Sequence, residues 1–229
     1  MLNRCALGAI ALVLGLLLVP TASADTTTIG SVGPTVGPGT GCSGCHALQF
    51  ATDPGSPSYV VPAAPASGPW TLTSWSARGG FDDGAAAVEV WRPTGTTNEF
   101  RLIAIGPQQA FPADSVMNYP ASITVLPGDH LGVRNLGGEF APAYETSLAA
   151  DVFFGAQGDP VVGQTTGSPT SDFNHLSDGH RRINAAATLT APSSPAVTVK
   201  KKKKCKKKKH KRSADAAKKK QKCKKHKKR

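Results

Sequence analysis

The sequence predicts an all-β protein, an antiparallel, jelly-roll-like β-sandwich followed by a disordered polybasic C-terminal tail. Two observations predict the sandwich. Residues 58–190 contain eight short stretches rich in β-branched and aromatic side chains, and Gly, Pro, Asn or Asp separates nearly all of them. Within these stretches apolar residues recur at every second position, which is typical of strands with one buried face. No stretch has the periodicity of an amphipathic helix.

The eight predicted strands follow one another in chain order, with turn signals between them. The alternation is clear at Phe100, Leu102 and Ala104. Pro and Gly mark the turns at 92–95 and 127–129. The predicted strands are Tyr59–Val61, Trp70–Ala77, Ala86–Trp91, Glu99–Ile105, Ser122–Leu126, His130–Val133, Asp151–Phe154 and Ile183–Leu189.

Residues 1–24 are predicted to be a cleaved signal peptide. A short positive region ends at Arg4, an apolar run extends from Cys5 to Val19, and small residues allow cleavage between Ala24 and Asp25. A membrane helix is the alternative, but fifteen apolar residues are fewer than the ~20 that a bilayer span needs. We therefore expect a secreted or cell-envelope-associated protein with no transmembrane segment in the mature chain.

Two segments beside the predicted sandwich are predicted to be linkers. Residues 25–57 form a Gly/Pro/Thr-rich stretch that also contains a C-x-x-C motif. Residues 191–199 form a Pro/Ser spacer. The composition of the spacer favours an extended chain rather than a packed one.

The last thirty residues are chemically unlike the rest of the chain. They hold all eighteen lysines, two arginines and one aspartate, a formal charge of +19, whereas residues 25–199 hold six arginines and fourteen acidic residues, a formal charge of −8. A segment with this charge and almost no apolar side chains cannot form a core, so we expect residues 200–229 to be disordered and to bind polyanions. The predicted polyanion-binding residues are Lys200, Lys201, Lys202, Lys203, Lys204, Lys206, Lys207, Lys208, Lys209, Lys211, Arg212, Lys218, Lys219, Lys220, Lys222, Lys224, Lys225, Lys227, Lys228 and Arg229.

Two functions agree with this charge distribution. In the first, the tail fastens a non-enzymatic protein to anionic cell-wall polymers or to a membrane surface, and binds nucleic acid only non-specifically because no aromatic side chain among its lysines can stack on bases. In the second, the sandwich binds carbohydrate or another ligand and the tail only localises it. Exposed Trp70, Trp75 and Trp91 would stack on sugars, although Trp in a strand more often belongs to the core. A tail folded back on the acidic body is a further alternative, and salt would weaken it.

The motif Cys42-Ser43-Gly44-Cys45-His46 has two interpretations. C-x-x-C-H is the attachment motif for c-type haem, in which two thiols bond the vinyl groups and the histidine binds iron. The β pattern that follows is not the helical context of a cytochrome c, and the second axial ligand would come from Met117 or another histidine. The alternative is a disulfide between Cys42 and Cys45, or pairing with the tail cysteines, in an oxidising compartment. We favour the local disulfide, no cofactor, and an incidental His46.

A second group of residues has ligand chemistry for a divalent cation. Asp172, His175, Asp178 and His180 lie close together in the sequence and offer carboxylate and imidazole groups. Their spacing matches no defined cation loop, and Asp in such a segment more often caps turns. No nucleophile elbow, Walker loop, H-E-x-x-H or dinucleotide fingerprint is present, so we expect a non-enzymatic protein.

Several local sequences together resemble a group of uncharacterised secreted actinobacterial proteins with a Lys-rich, Cys-containing C-terminal tail. The segments that carry the resemblance are the signal peptide, the tail and the stretches 39–45, 59–62, 73–76 and 126–133, which read GTGCSGC, YVVP, TSWS and LPGDHLGV. The resemblance spans most of the chain and implies a β-sandwich. It implies no activity and no site residues.

Overall fold

The computed structural model describes residues 23–33, 44–138, 143–166, 175–176 and 180–193. Within these ranges the protein has fourteen β-strands and no helix. The strands are β1 Thr26–Ser31, β2 Cys45–Ala51, β3 Trp70–Arg78, β4 Gly84–Pro93, β5 Phe100–Ile105, β6 Gln109–Phe111, β7 Val116–Val125, β8 His130–Gly138, β9 Ala143–Glu145, β10 Val152–Gln157, β11 Thr165–Thr166, β12 His175–Leu176, β13 Arg181–Ile183 and β14 Ala185–Thr190. The predicted all-β class is confirmed.

The strands form two main sheets that pack face to face. The small sheet has the order β1-β14-β3-β7, and the large sheet has the order β11-β5-β4-β8-β2-β10-β12, with β6 also paired to β4. The pairs in both sheets are antiparallel. Leu72 and Trp75 of the small sheet and Val88, Leu131 and Val133 of the large sheet share one apolar core. This arrangement is an antiparallel β-sandwich.

The burial of residues along each strand explains why some strands show an apolar alternation in the sequence and others do not. In β14 every second residue is buried, from Ala185 to Leu189, because only one side of the strand faces the core. In β4, six consecutive residues from Ala86 to Trp91 are buried. A second apolar cluster on the other side of the large sheet accounts for this: Leu48, Trp91, Phe100, Leu102 and Phe154. Central strands of the large sheet are thus covered on both faces.

The linker prediction for residues 25–57 is wrong over two stretches, since this segment contributes β1 and β2. β1 is an edge strand that pairs with β14 from Thr26 to Ser31, and its threonines hide the alternation by which we recognised other strands. β2 is an internal strand between β8 and β10. Its residues Cys45–Gln49 are all buried, so its sequence also lacks alternation.

The predicted strand Tyr59–Val61 is reduced to an isolated bridge between Val60 and His130. Tyr59 nevertheless belongs to the core, and its hydroxyl donates to the Ile183 carbonyl at 2.8 Å. Other strand limits also shift: β7 begins at Val116 rather than Ser122. The short strands β6, β9, β11 and β12 were not predicted, because segments of two or three residues carry no periodicity.

Other predictions lie outside the described residues. These are the signal peptide up to residue 22, Cys42, Asp172, Asp178 and the whole tail with its lysines, and they stay predictions. Ala191–Ser193, the described start of the predicted spacer, follows β14 without forming a strand. Over the described ranges we find no helix with the length and hydrophobicity of a bilayer span.

Candidate functional site

The last two residues of the C-x-x-C-H motif begin β2, an internal strand of the large sheet. Gly44 adopts a positive φ of 70° and is followed directly by β2, which begins at Cys45. His46 is 1% exposed and extends from the outer face of the large sheet, the side turned away from the small sheet. Glu89 and Trp91 of β4 lie on the same face and are both 0% exposed.

These three side chains form a buried hydrogen-bonded network. His46 Nδ1 lies 2.7 Å from Glu89 Oε1, and the Trp91 indole N–H donates to Glu89 Oε2 at 3.0 Å. His46 Nε2 donates to the Gly158 carbonyl at 2.8 Å. The backbone N–H of Gly158 in turn donates to the Gly44 carbonyl at 3.2 Å. The network therefore ties the segment after β10 to the start of β2.

The geometry fixes how many protons the His46–Glu89 pair holds. A carbonyl can only accept, so Nε2 carries a hydrogen toward Gly158. The 2.7 Å contact between Nδ1 and Oε1 needs one further proton, on either atom. With the proton on nitrogen the pair is imidazolium and carboxylate, and with it on oxygen both groups are neutral. Either way the pair has no net charge, which is the state a buried site tolerates.

This network bears on the haem interpretation. Both ring nitrogens of His46 have partners, so neither can ligate iron until a buried hydrogen bond breaks and the side chain leaves its site. The prediction that His46 is incidental is wrong, because both its ring nitrogens are bonded and it is a structural group of the outer face. Cys45 is buried at 3% exposure, and Cys42 lies outside the described residues. The local disulfide stays a prediction.

A second buried polar cluster holds the two-stranded sheet β9-β13 in place. Asp151 is buried, accepts from the Thr146 hydroxyl at 2.7 Å and lies 2.8 Å from Arg182 Nε, in an ion pair without the alignment of a hydrogen bond. Burial opposes ionisation of Asp151, but the charge of Arg182 and the hydrogen bonds from the Thr146 hydroxyl and the Asp53 backbone N–H outweigh it and lower the pKa of this carboxyl. Gln49 donates to the Val152 carbonyl and accepts from the Ile183 N–H.

A small pocket lies beside the turn between β4 and β5. It has a volume of about 240 Å³ and is lined by Arg92, Pro93, Thr94, Arg101 and Ile103. Arg92 forms a bidentate pair with Asp129, Nε to Oδ1 at 2.6 Å and Nη2 to Oδ2 at 2.9 Å. Asp129 is 0% exposed, and its hydrogen bonds raise the pKa of Arg92.

Five of the six arginines in residues 25–199 form ion pairs with carboxylates. Arg101 is exposed, and among the described residues its side chain has neither an ion pair nor a hydrogen bond. The other five arginines of residues 25–199 each have a carboxylate partner, in the pairs Arg78–Asp114, Arg92–Asp129, Arg134–Asp159, Arg181–Glu145 and Arg182–Asp151. No sequence pattern singles out Arg92 or Arg101, because their juxtaposition depends on strand register.

The tryptophans and the cation candidates occupy different environments. Trp70, Trp75 and Trp91 are at most 5% exposed, so the interpretation of these residues as core is confirmed and a tryptophan platform for sugars is excluded. His175 lies in β12 opposite Gly155. His180 is exposed, with φ of 62°, immediately before β13. The described residues contain no group of three or more potential metal ligands. With Asp172 and Asp178 outside them, the cation site stays a prediction.

Comparison with protein-family models and with curated proteins finds no match for this chain. The fold and the sites above therefore stand on the chain's own residues.

Proposed function

We propose that this is a secreted, non-enzymatic envelope or extracellular protein whose Lys-rich tail binds anionic polymers or membrane surfaces. The observation that carries the proposal is the segregation of charge, with all eighteen lysines in the last thirty residues of the chain. A chain segment of this charge density binds polyanions by releasing their condensed counterions, and it needs no folded site to do so.

The ion pairs of the body support this proposal. Five of its six arginines are matched with carboxylates, and acidic groups exceed arginines over residues 25–199. Such a surface repels polyanions rather than attracting them. The attraction must then come from the tail, and the sandwich is what the tail holds at the anionic surface.

The test compares the wild-type chain with a variant in which all the tail lysines are replaced by glutamine. Binding is measured to vesicles of anionic phospholipid and to a poly(glycerol phosphate) polymer, over a range of salt concentrations. We expect the wild-type affinity to fall linearly with log salt, each neutralised phosphate adding ~0.7–0.9 to the slope. The glutamine variant should not bind at low salt.

A Lys→Arg tail variant is the matched control, because it keeps the charge and changes the chemistry of the cation. It should bind as the wild type does. Undiminished binding by the glutamine variant, or binding that salt does not affect, would refute the proposal.

We also infer that Cys42 and Cys45 form a disulfide. Two observations support it: the turn-forming φ of Gly44 between the two positions, and the buried Cys45 at the start of β2. Intact-mass measurement of secreted protein should give a mass two hydrogens below that of the reduced chain for this pair, and no Soret band. A covalent haem adduct would overturn the inference.

A further inference from the structure

We propose that the pocket beside the β4–β5 turn is a binding site for a single small anionic group, a carboxylate or a phosphate, with Arg101 as its principal contact. This site belongs to the sandwich and is independent of the tail. Its chemistry follows from Arg92, Thr94 and Arg101, which line a pocket of about 240 Å³.

The first argument is the placement of two arginines opposite each other. Arg92 of β4 and Arg101 of β5 are register partners, next to a bulge in the pairing after Val90. Like charges directly opposite across a strand pair destabilise a sheet. In a body whose acidic residues outnumber its arginines, two arginines opposite each other are a local departure from sheet stability of the kind found at functional sites.

The second argument is the unequal pairing of these arginines. The buried Asp129 carboxylate holds the Arg92 guanidinium in a bidentate pair, so Arg92 is positioned and largely neutralised. The Arg101 side chain has no such partner in the part of the chain that the structure describes. Glu99, which immediately precedes β5, accepts instead from the Thr94 hydroxyl. One guanidinium with its donors uncommitted therefore faces the pocket beside a fixed one.

The third argument is the match between the pocket and the ligand class. The planar guanidinium fork offers two parallel N–H donors to the two oxygens of a carboxylate or phosphate. Pro93 and Ile103 supply an apolar wall. The volume lies below the ~300–1,000 Å³ of sites for drug-sized ligands, so we expect the pocket to take one charged group and an adjoining ring at most.

The experiment is a titration of the full-length chain, ¹⁵N-labelled, with inorganic phosphate in one arm and glucuronate in the other. A background of about 0.3 M salt, where the Debye length is well under 10 Å, suppresses the contribution of the tail lysines. We expect saturable shifts of the amides of Thr94, Arg101 and Ile103 and of the Arg101 Nε–H. The arm with the tighter binding identifies the source of the anionic group.

The variant is Arg101→Gln, and the matched control is Arg181→Gln, which removes one half-buried cation elsewhere, the partner of Glu145. Arg92 is not substituted, because that would leave the buried Asp129 unpaired and destabilise the fold. We expect Arg101→Gln to weaken binding at least about tenfold, as the loss of a charge-assisted bidentate pair implies, and Arg181→Gln to leave it unchanged. Spectra of the free proteins show whether each variant keeps the fold.

Equal loss in both variants, no saturation with either probe, or shifts confined to the tail would overturn the proposal. None of these outcomes bears on the tail proposal, which rests on salt-dependent polymer binding by residues 200–229.

Discussion

The central strands of the large sheet are buried on both faces, but only the outer face adds a His–Glu–Trp hydrogen-bonded network to its apolar cluster. On the inner face, Val88, Val90 and Val133 pack against the small sheet through apolar contacts alone. On the outer face, His46 and Glu89 are at most 1% exposed and depend on hydrogen bonds to specific atoms. Removal of an apolar side chain lowers the free energy of unfolding through the lost burial of its atoms and the cavity that remains. Removal of one partner of a buried polar pair lowers it further, because the other partner is left buried without a hydrogen bond. The outer face should therefore tolerate substitution less well than the inner face does.

The largest effect should come from Glu89→Ala. The substitution removes the carboxylate that binds both His46 Nδ1 and the Trp91 indole N–H. We expect the free energy of unfolding to fall by ~3–5 kcal/mol, as when one member of a buried pair is removed. Urea denaturation followed by tryptophan fluorescence measures it.

The control for Glu89→Ala is Val88→Ala, the neighbouring position on the inner face. It deletes apolar atoms only and should cost about 2 kcal/mol. A larger loss for Val88→Ala than for Glu89→Ala would show that the outer face is not the more demanding one.

A smaller effect is expected from Gly132→Ala, which tests packing on the outer face without changing its polar groups. A Cβ at Gly132 would lie 2.8 Å from Trp91 Cδ1 and 2.9 Å from the Ala47 carbonyl oxygen, so the indole must move. We expect a loss of ~1–3 kcal/mol, as for overpacking of a core, and a change in the near-ultraviolet circular dichroism of tryptophan.

Gly106→Ala is the matched substitution for the inner face. The added Cβ would meet one side-chain atom closely, Cγ1 of Val88 at 2.7 Å, and its contact with backbone atoms would begin at 3.5 Å. It should therefore cost less than Gly132→Ala and leave the tryptophan signal unchanged. Equal losses of unfolding free energy in the two variants would show that the two faces are packed equally tightly.

The smallest effect concerns pH and a second histidine, His130, which is half-buried 5.1 Å from Phe100. Burial lowers its pKa below 6.5, although the Gln49 carbonyl and Asp129 oppose the shift. As pH falls below 6.5 the unfolded chain takes up the proton first, so this residue's share of the stability is present above that pH and is lost as pH decreases toward the folded pKa.

The measurement for His130 is the free energy of unfolding between about pH 5 and pH 8, for the wild type and for His130→Gln. The wild type should lose more stability toward acid than the variant does. Val88→Ala, which removes no titratable group, should keep the wild-type pH dependence. Identical curves for wild type and His130→Gln would assign the acid sensitivity to other groups.

Sequence patterns predict the strands in which every second side chain is buried. Regular alternation revealed β5 and β14, and the turn residues between strands supported the fold class. β1 was missed because Thr26, Thr27 and Thr28 do not alternate apolar with polar residues, and β2 because a strand buried on both faces has no alternation to show. The composition of residues 25–57 predicted a linker for both segments. They form strands because they pair with strands that are distant in the sequence.

The sites were predictable only where their residues are neighbours in sequence. The motif drew attention to His46, but nothing in the sequence links it to Glu89, which pairs with it only once β2, β8 and β4 lie side by side. The opposition of Arg92 and Arg101 likewise depends on a register that a bulge shifts after Val90. A single sequence does not report register, and the pocket follows from it.

The strand order of the small sheet constrains when this protein can fold. β14 lies between β1 and β3. All six β1 pairs, from Thr26 with Thr190 to Ser31 with Ala185, join residues from opposite ends of the sequence that forms the sandwich. A chain that emerges with its N-terminus first therefore presents β1 long before its strand partner β14 exists. Such non-local pairing slows folding and leaves strand edges open to other chains in the meantime. Of the described strands, β14 is the last to be synthesised, and it closes the small sheet. A chain truncated before Ala185 would lose this partner of both β1 and β3.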